Sequence, residues 1–316
     1  MLCFEFIYIL GPEIYTRYLK RGVYKYVPKV WLKKMKPKEV VNFTNEKGDV
    51  LGKGIGVFLE NNEKTKEEYI NGVIDGVEVF KSEQTGKILY DDIYIFNRKD
   101  RHYIREKTGL EIADGMEVLI YFLPYVLKEL LYLCDEKLWN SEILMVSDGS
   151  NLPYKLIERL SKEVRFLTIL EDKKENAQKN IDKIYNDTGL SIFYSQNVDK
   201  ILMNYNIIIN FKDNISVDTK KLRGKTIVFD LSVGQNFSEE INNINKSVIT
   251  IEDFLFHWKD LIVEKDFFHT EELIPSYKYE VFNRYDIKDF KQVLVKNEKY
   301  TLEELVQTKI RNRIHI

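Results

Sequence analysis

The chain has 316 residues, 44% hydrophobic and 31% charged, a length and balance that suit a globular protein with two cores. Its formal net charge is −2, so no overall basic field draws it to nucleic acid or to an anionic membrane surface. Two cysteines exclude a disulfide framework, and the four histidines show no helical ligand spacing, so no metal site is expected.

"MLCFEFIYIL" (1–10) reads as a strand, not a signal peptide, because it lacks a basic start and contains Glu5; Cys3 is expected in its core. A basic stretch follows, with Lys20, Arg21, Lys25, Lys29, Lys33, Lys34, Lys36 and Lys38 around Tyr24, Tyr26 and Trp31. A solvated helix face is the expectation there, with an anionic partner the alternative. "VVNFTNEKGDVLGKGIGVFLE" (40–60) carries two alternating apolar runs about a turn at Asn45 to Gly48, a hairpin pattern. Its "GKGIG" resembles a phosphate loop, but it lies inside a strand pattern with no helix start after it. Close backbone packing, a bulge or a sharp bend is the expected reason for those glycines.

"KTKEEYINGVIDGVEVFKSEQTG" is helical with polar breaks, and "KILYDDIYIF" reads as another strand. Gly109 and Gly115 then bracket a short strand. "GMEVLIYFLPYVLKELLYL" (115–133) approaches membrane length, but Glu117, Lys128 and Glu129 interrupt it and Pro124 would kink it. A buried inter-domain helix is expected in place of a membrane span, and a cytoplasmic address follows by default.

From residue 140 apolar strands and helices alternate: "EILMVS", "LPYKLIERLSKE", "VRFLTILED", "KKENAQKNIDKIYNDTG", "LSIFYS", "NVDKILMN", "YNIIINF", "KLRGKTIVFDLSV" and "SVITIEDF". This rhythm predicts an α/β fold, a doubly wound, mostly parallel Rossmann-type sheet preceded by a smaller α+β domain. The expected organisation is an α+β domain over 1–115, a linking helix over 116–139, a Rossmann-type domain over 140–260 and a helical or irregular return segment over 261–316.

Strand, polar turn and helix in "ILMVSDGSNLPYKLIERL" (143–160) are the opening of a nucleotide-binding α/β unit. A Rossmann turn uses three glycines, for the tight turn, for approach to the pyrophosphate and for helix packing. Along Ser147, Asp148, Gly149, Ser150, Asn151 and Leu152 only the middle position is glycine. Pro153 is tolerated in the first helical turn, where a missing donor costs nothing. Asp148 is an objection, since a carboxylate near a pyrophosphate costs about 1–4 kcal/mol. Ser150 and Asn151 are suited to capping the helix with the same amides a phosphate would use. Glu171 and Asp172 close the next strand about 20 residues on, the distance at which a carboxylate meets a ribose diol. The candidate cofactor site is therefore Ser147, Gly149, Ser150, Asn151, Glu171 and Asp172, with capping as the competing role. Lys173 and Lys174 suit a 2′-phosphate, which leaves NAD and NADP both open. Asp230, at the end of "TIVFDL", faces the ligand-binding edge of such sheets or caps the next loop. His257 and His269, in aromatic surroundings, are expected to be packed.

The order of the hairpin "VVNFTNEKGDVLGKGIGVFLE", then "KTGLEIADGMEVLI", the Rossmann unit and "LRGKTIVFDLSVG" resembles the layout of long-chain acyl-carrier-protein reductases and their wider relatives, the shikimate dehydrogenases and glutamyl-tRNA reductases. That resemblance, over residues 40 to 255, implies a nicotinamide cofactor, NAD or NADP. The chain departs from it in the thinned glycine turn and in "YDDIYIFNRKD", where the family has a glycine-rich stretch. No cysteine follows Cys134 to take up an acyl group, and no motif matches the lysine and aspartate pair of shikimate dehydrogenases. Three expectations follow. The leading one is a degenerate, non-catalytic dehydrogenase-like protein with a binding or regulatory role. An NAD(P)-dependent oxidoreductase with an unusual phosphate loop is second, and an S-adenosylmethionine-dependent methyltransferase third. The expected partner is a nucleotide or other small molecule, not nucleic acid or membrane, with homo-oligomerisation open.

Overall fold

Short unbroken apolar runs such as "FIYIL", "ILMV" and "IIIN" form strands of this chain. The structure is a computed structural model, and it describes residues 5–21, 26, 36–57, 65–91, 93–257, 262–263, 273–282 and 284–311. Cys3, His269, His315 and much of the basic stretch (Tyr24, Lys25, Lys29, Trp31, Lys33 and Lys34) lie outside the described residues. The chain divides into two units, Met1–Gly115 with His257–Arg284, and Met116–Phe256 with Tyr285–Ile316.

The first unit runs β1 (Glu5–Leu10), α1 (Pro12–Arg21), β2 (Lys38–Thr44), β3 (Val50–Gly56), α2 (Lys66–Phe80), β4 (Thr85–Tyr90), α3 (Arg98–Thr108) and β5 (Glu111–Ile112). Thr65 and Asn97 start α2 and α3 with capping boxes, and Gly109 ends α3 in the left-handed conformation. Strands β2 and β3 form the antiparallel hairpin. Its turn closes with the Gly48 amide on the Asn45 carbonyl, and Gly48 takes φ +80°. The apolar strand β1 pairs in parallel with both β3 and β4, so the hairpin sits in a mixed sheet that β5 extends in parallel.

The second unit opens on α4 (Met116–Leu133), whose Val118, Phe122, Leu123, Val126, Leu127 and Leu130 are fully buried. Each such side chain contributes about 1.5–3 kcal/mol relative to exposure, enough to offset the hydrogen bond lost at Pro124 inside the helix. Then follow β6 (Ile143–Val146), α5 (Leu152–Leu160), β7 (Phe166–Leu170), α6 (Lys174–Thr188), β8 (Ser191–Ser195), β9 (Ile207–Asn210), β10 (Ile227–Asp230), α7 (Asn236–Ile244) and β11 (Ile249–Ile251). "NVDKILMN", read as a helix, supplies only a single 3-10 turn at Leu202–Asn204. Asn197 explains the shortfall: it sits in a turn in which its side chain accepts the Asp199 amide and its carbonyl accepts the Ser195 hydroxyl.

The six strands pair in the order β11-β10-β9-β6-β7-β8, every pair parallel. Counted from β6 along the chain this is the 3-2-1-4-5-6 order of doubly wound dinucleotide folds. The second unit is a Rossmann domain. In β6, β9 and β10 all four residues are buried, as strands covered on both faces require. The strand order reverses between β6 and β9, which places the switch-point crevice beyond Val146 and Asn210.

Candidate functional site

The turn after β6 reaches that crevice, and its amides are engaged from within. Ser147 is buried, and its Oγ accepts the Gly149 amide at 3.0 Å. Asp148 Oδ1 accepts the Ser150 amide at 2.9 Å and the Ser150 hydroxyl at 2.7 Å. Ser150 Oγ accepts the Leu152 amide at 3.3 Å. Pro153 offers no amide, so three of the donors nearest the helix start are held by side chains of the turn itself. Ser150 thus takes a capping role, while Asn151 stands at the cap position with no side-chain capping bond. Gly149 has φ +84°, a left-handed conformation that favours glycine, and a Cβ there would meet nothing within 4 Å. Backbone geometry, not close packing, requires glycine at this point.

The carboxylate expected at the ribose position is Glu171, just past β7. It is 3% exposed, and both its oxygens are taken. Tyr154, in the first turn of α5, donates its hydroxyl to Oε2. Asn176, in the first turn of α6, donates to Oε1 at 2.8 Å and approaches the Gly149 carbonyl at 3.5 Å. Burial, and then the Glu171 partner, push the Tyr154 hydroxyl far above the ordinary tyrosine range, so it stays a donor at every physiological pH. Asp172, one residue on, is exposed and pairs with Lys212 at 2.7 Å. Lys212 follows β9, on the far side of the switch point, so a cation at the crevice already faces a carboxylate. Ser147, Gly149 and Ser150 are bonded within the turn, and Glu171 is joined to it through Tyr154 and Asn176, whereas Asn151 makes no side-chain capping bond and Asp172 pairs outward with Lys212.

A dinucleotide would enter this arrangement only by opening it. Its pyrophosphate would have to displace three intramolecular acceptors from the turn amides and sit beside Asp148, while a ribose would have to displace Tyr154 or Asn176 from Glu171. Hydrogen bonds to the Asp148 and Glu171 carboxylates contribute about 1.5–3 kcal/mol each, and those to the neutral Ser147 and Ser150 hydroxyls about 0.5–1.5 kcal/mol. The partners of Glu171 lie 17 and 5 residues away in sequence, and no local pattern announces them.

Other sequence candidates take structural roles. Asp230 is fully buried: Asn210 donates to its Oδ1 at 2.8 Å, the Ser232 hydroxyl donates to the same oxygen at 2.7 Å, and the Ser238 amide donates to Oδ2 at 2.7 Å. It caps α7. Gly52, Gly54 and Gly56 share one face of β3, where an added Cβ would stand 2.4 Å from the Phe6 ring, 2.5 Å from Val41 and 2.1 Å from the Tyr15 ring. That stripe exists to admit those side chains. His257 is exposed at the end of its strand, not packed, because residue 257 falls past the last buried position of the strand Asp253–His257. Burial pushes the Cys134 thiol up to about 11, which makes it a poor nucleophile. Among the described residues no three His, Cys, Asp or Glu side chains are grouped to hold a metal ion, and no helix is long and apolar enough to cross a membrane.

No protein-family model and no curated protein sequence matches the chain. Among solved structures it is similar to L-tryptophan dehydrogenase from Nostoc punctiforme, with 10% identity over 78% of this chain and 69% of that one and a TM-score of 0.34. It is similar to a shikimate dehydrogenase in complex with NADP+, with 14% identity over 78% and 83% of the two chains and a TM-score of 0.33. Similarity to Δ1-pyrroline-2-carboxylate reductase from Thermococcus litoralis, in complex with NADH and L-proline, covers 36% of each chain at 11% identity with a TM-score of 0.28. This chain thus spans about a third of the length of that reductase. At such identities the likeness assigns neither a substrate nor a cofactor to this protein.

Proposed function

We propose that this protein is a dehydrogenase-like chain that has retained the Rossmann framework, lost nicotinamide-dependent catalysis, and serves a binding or regulatory role. One observation carries the reading: both oxygens of Glu171, the residue that would bind a ribose, are held by Tyr154 and Asn176. The internally bonded turn amides and Asp148 support it, as does the lack of any cysteine after Cys134 for an acyl-transfer step. Calorimetric titration with NAD, NADH, NADP and NADPH tests it. Absence of saturable binding up to about millimolar cofactor is the expected outcome. A dissociation constant in the micromolar range would overturn it.

A second reading, an NAD(P)-dependent oxidoreductase related to the acyl-carrier-protein reductase and shikimate dehydrogenase group, is favoured by the exposed, unobstructed Gly149. Lys173 and Lys174, exposed at the start of α6, are its candidates for a 2′-phosphate. On this reading the cofactor supplies hydride transfer, and Gly149 and Glu171 orient it once the turn has opened. The all-parallel 3-2-1-4-5-6 order favours both readings over a methyltransferase.

A further inference from the structure

The opposite edge of the Rossmann sheet carries a cavity of about 680 Å³. Strands β9, β10 and β11 are parallel, so the residues just before them, Asn206, Thr226 and Ser247, gather at this amino edge. The end of α4 and residues Ile310 and Arg311 complete the wall. The volume lies within the range of small-molecule sites, roughly 300–1,000 Å³.

What the cavity offers a ligand follows from which of its groups are already engaged. The Thr226 hydroxyl donates to the Tyr205 carbonyl at 3.1 Å, and Asn206 Oδ1 accepts the Glu142 amide at 2.8 Å. Arg311 donates to the Leu133 carbonyl at 2.9 Å and pairs with Asp135 at 3.2 Å, closing the end of α4. Leu131, Ile227 and Ile310 supply apolar wall. Arg223 and Lys225, on either side of Gly224, line the same cavity and make no ion pair among the described residues. Glu136 also lines the cavity, so Arg223, Lys225 and Arg311 stand against Asp135 and Glu136 and leave the wall net positive. Apolar surface beside two cations that make no ion pair among the described residues is complementary to one class of molecule.

We propose that this cavity binds a small organic anion with an apolar body, its carboxylate, sulfonate or phosphate held by Arg223 and Lys225 and its carbon skeleton received by Leu131, Ile227 and Ile310. The site lies at the other end of the sheet from the dinucleotide turn and stands whether or not that turn admits a cofactor.

Anilinonaphthalene sulfonate, an aromatic anion, is a suitable probe, and the full chain is titrated by fluorescence. One saturable site is expected, weakened about tenfold or more in the double variant Arg223→Ala/Lys225→Ala. The uncharged phenylnaphthylamine should bind both proteins equally. Both substituted side chains are exposed, so the variant should keep the wild-type urea midpoint, which is measured alongside. Cys134 lines the cavity, and bound probe should slow its alkylation by iodoacetamide, read on the peptide that carries it. Equal sulfonate affinity in the two proteins, no saturable binding, or binding that leaves Cys134 unprotected would overturn the proposal.

Discussion

Tyr154 donates its hydroxyl to the carboxylate of Glu171, and so ties the first turn of α5 to the end of β7. Both residues are buried, at 4% and 3% exposure. Where a dinucleotide fold presents an acid to a ribose, this chain presents an acid to its own tyrosine.

Removing the hydroxyl tests that tie. Tyr154→Phe leaves the Glu171 carboxylate buried with Asn176 as its remaining side-chain partner, and should lower unfolding free energy by about 1–3 kcal/mol in urea denaturation. A change below about 0.5 kcal/mol would mean that the pair does not hold the turn.

Two glycine substitutions should differ for reasons visible in the fold. Gly149→Ala meets open space and bears only the left-handed backbone penalty, about 1–2 kcal/mol. Gly56→Ala brings a methyl group to 2.1 Å from the Tyr15 ring and must displace it. Overpacking of that kind costs about 1–3 kcal/mol, occasionally more, and is accompanied by ring movement. Altered aromatic near-ultraviolet circular dichroism should therefore appear for Gly56→Ala and not for Gly149→Ala. The reverse pattern would contradict the packing role of the β3 stripe.

Glu280 gives the first unit a pH dependence. Its carboxylate accepts the Gly115 amide at 2.7 Å and pairs with Lys87 at 3.0 Å, yet burial and the nearby Asp114 raise it from 4.5 to about 7. A carboxyl raised on folding contributes stability that is fully present below about 4.5 and is lost as pH rises through about 7. Between about pH 5 and pH 8 the wild type should lose up to about 3 kcal/mol more than Glu280→Gln. Parallel pH profiles for the two proteins would contradict the assignment.

Cys134 should react slowly. With its thiol raised to about 11, its thiolate fraction near neutrality falls on the order of 100-fold below that of a free cysteine, and alkylation should slow accordingly. Peptide-resolved labelling rates against pH check this, and a rate near that of free cysteine would refute it.

The parts of the fold legible in sequence are those set by local pattern. Buried parallel strands such as "ILMV" and "IIIN" appear as unbroken apolar runs, and the 40–60 hairpin appears as alternation about a polar turn. The glycines of "GKGIG" follow a period of two, the signature of one strand face, although the rings that occupy their space belong to β1 and α1. Lengths of regular helix were less legible where asparagine side chains compete for backbone groups, as at 197–204. The candidate site was legible as positions and not as chemistry. Spacing placed Gly149, Glu171 and Asp172 at one sheet edge, but whether a carboxylate faces solvent or a tyrosine depends on contacts between α5, β7 and α6 that no periodicity encodes.

The most direct test of the closed turn reads its amides. In an amide nitrogen–proton correlation spectrum of the full chain, titration with NADH to about millimolar concentration should leave the Gly149, Ser150 and Leu152 resonances in place, because Ser147, Asp148 and Ser150 already hold them. Saturable shifts concentrated on those three amides would show that the turn opens to a pyrophosphate, and would contradict the account.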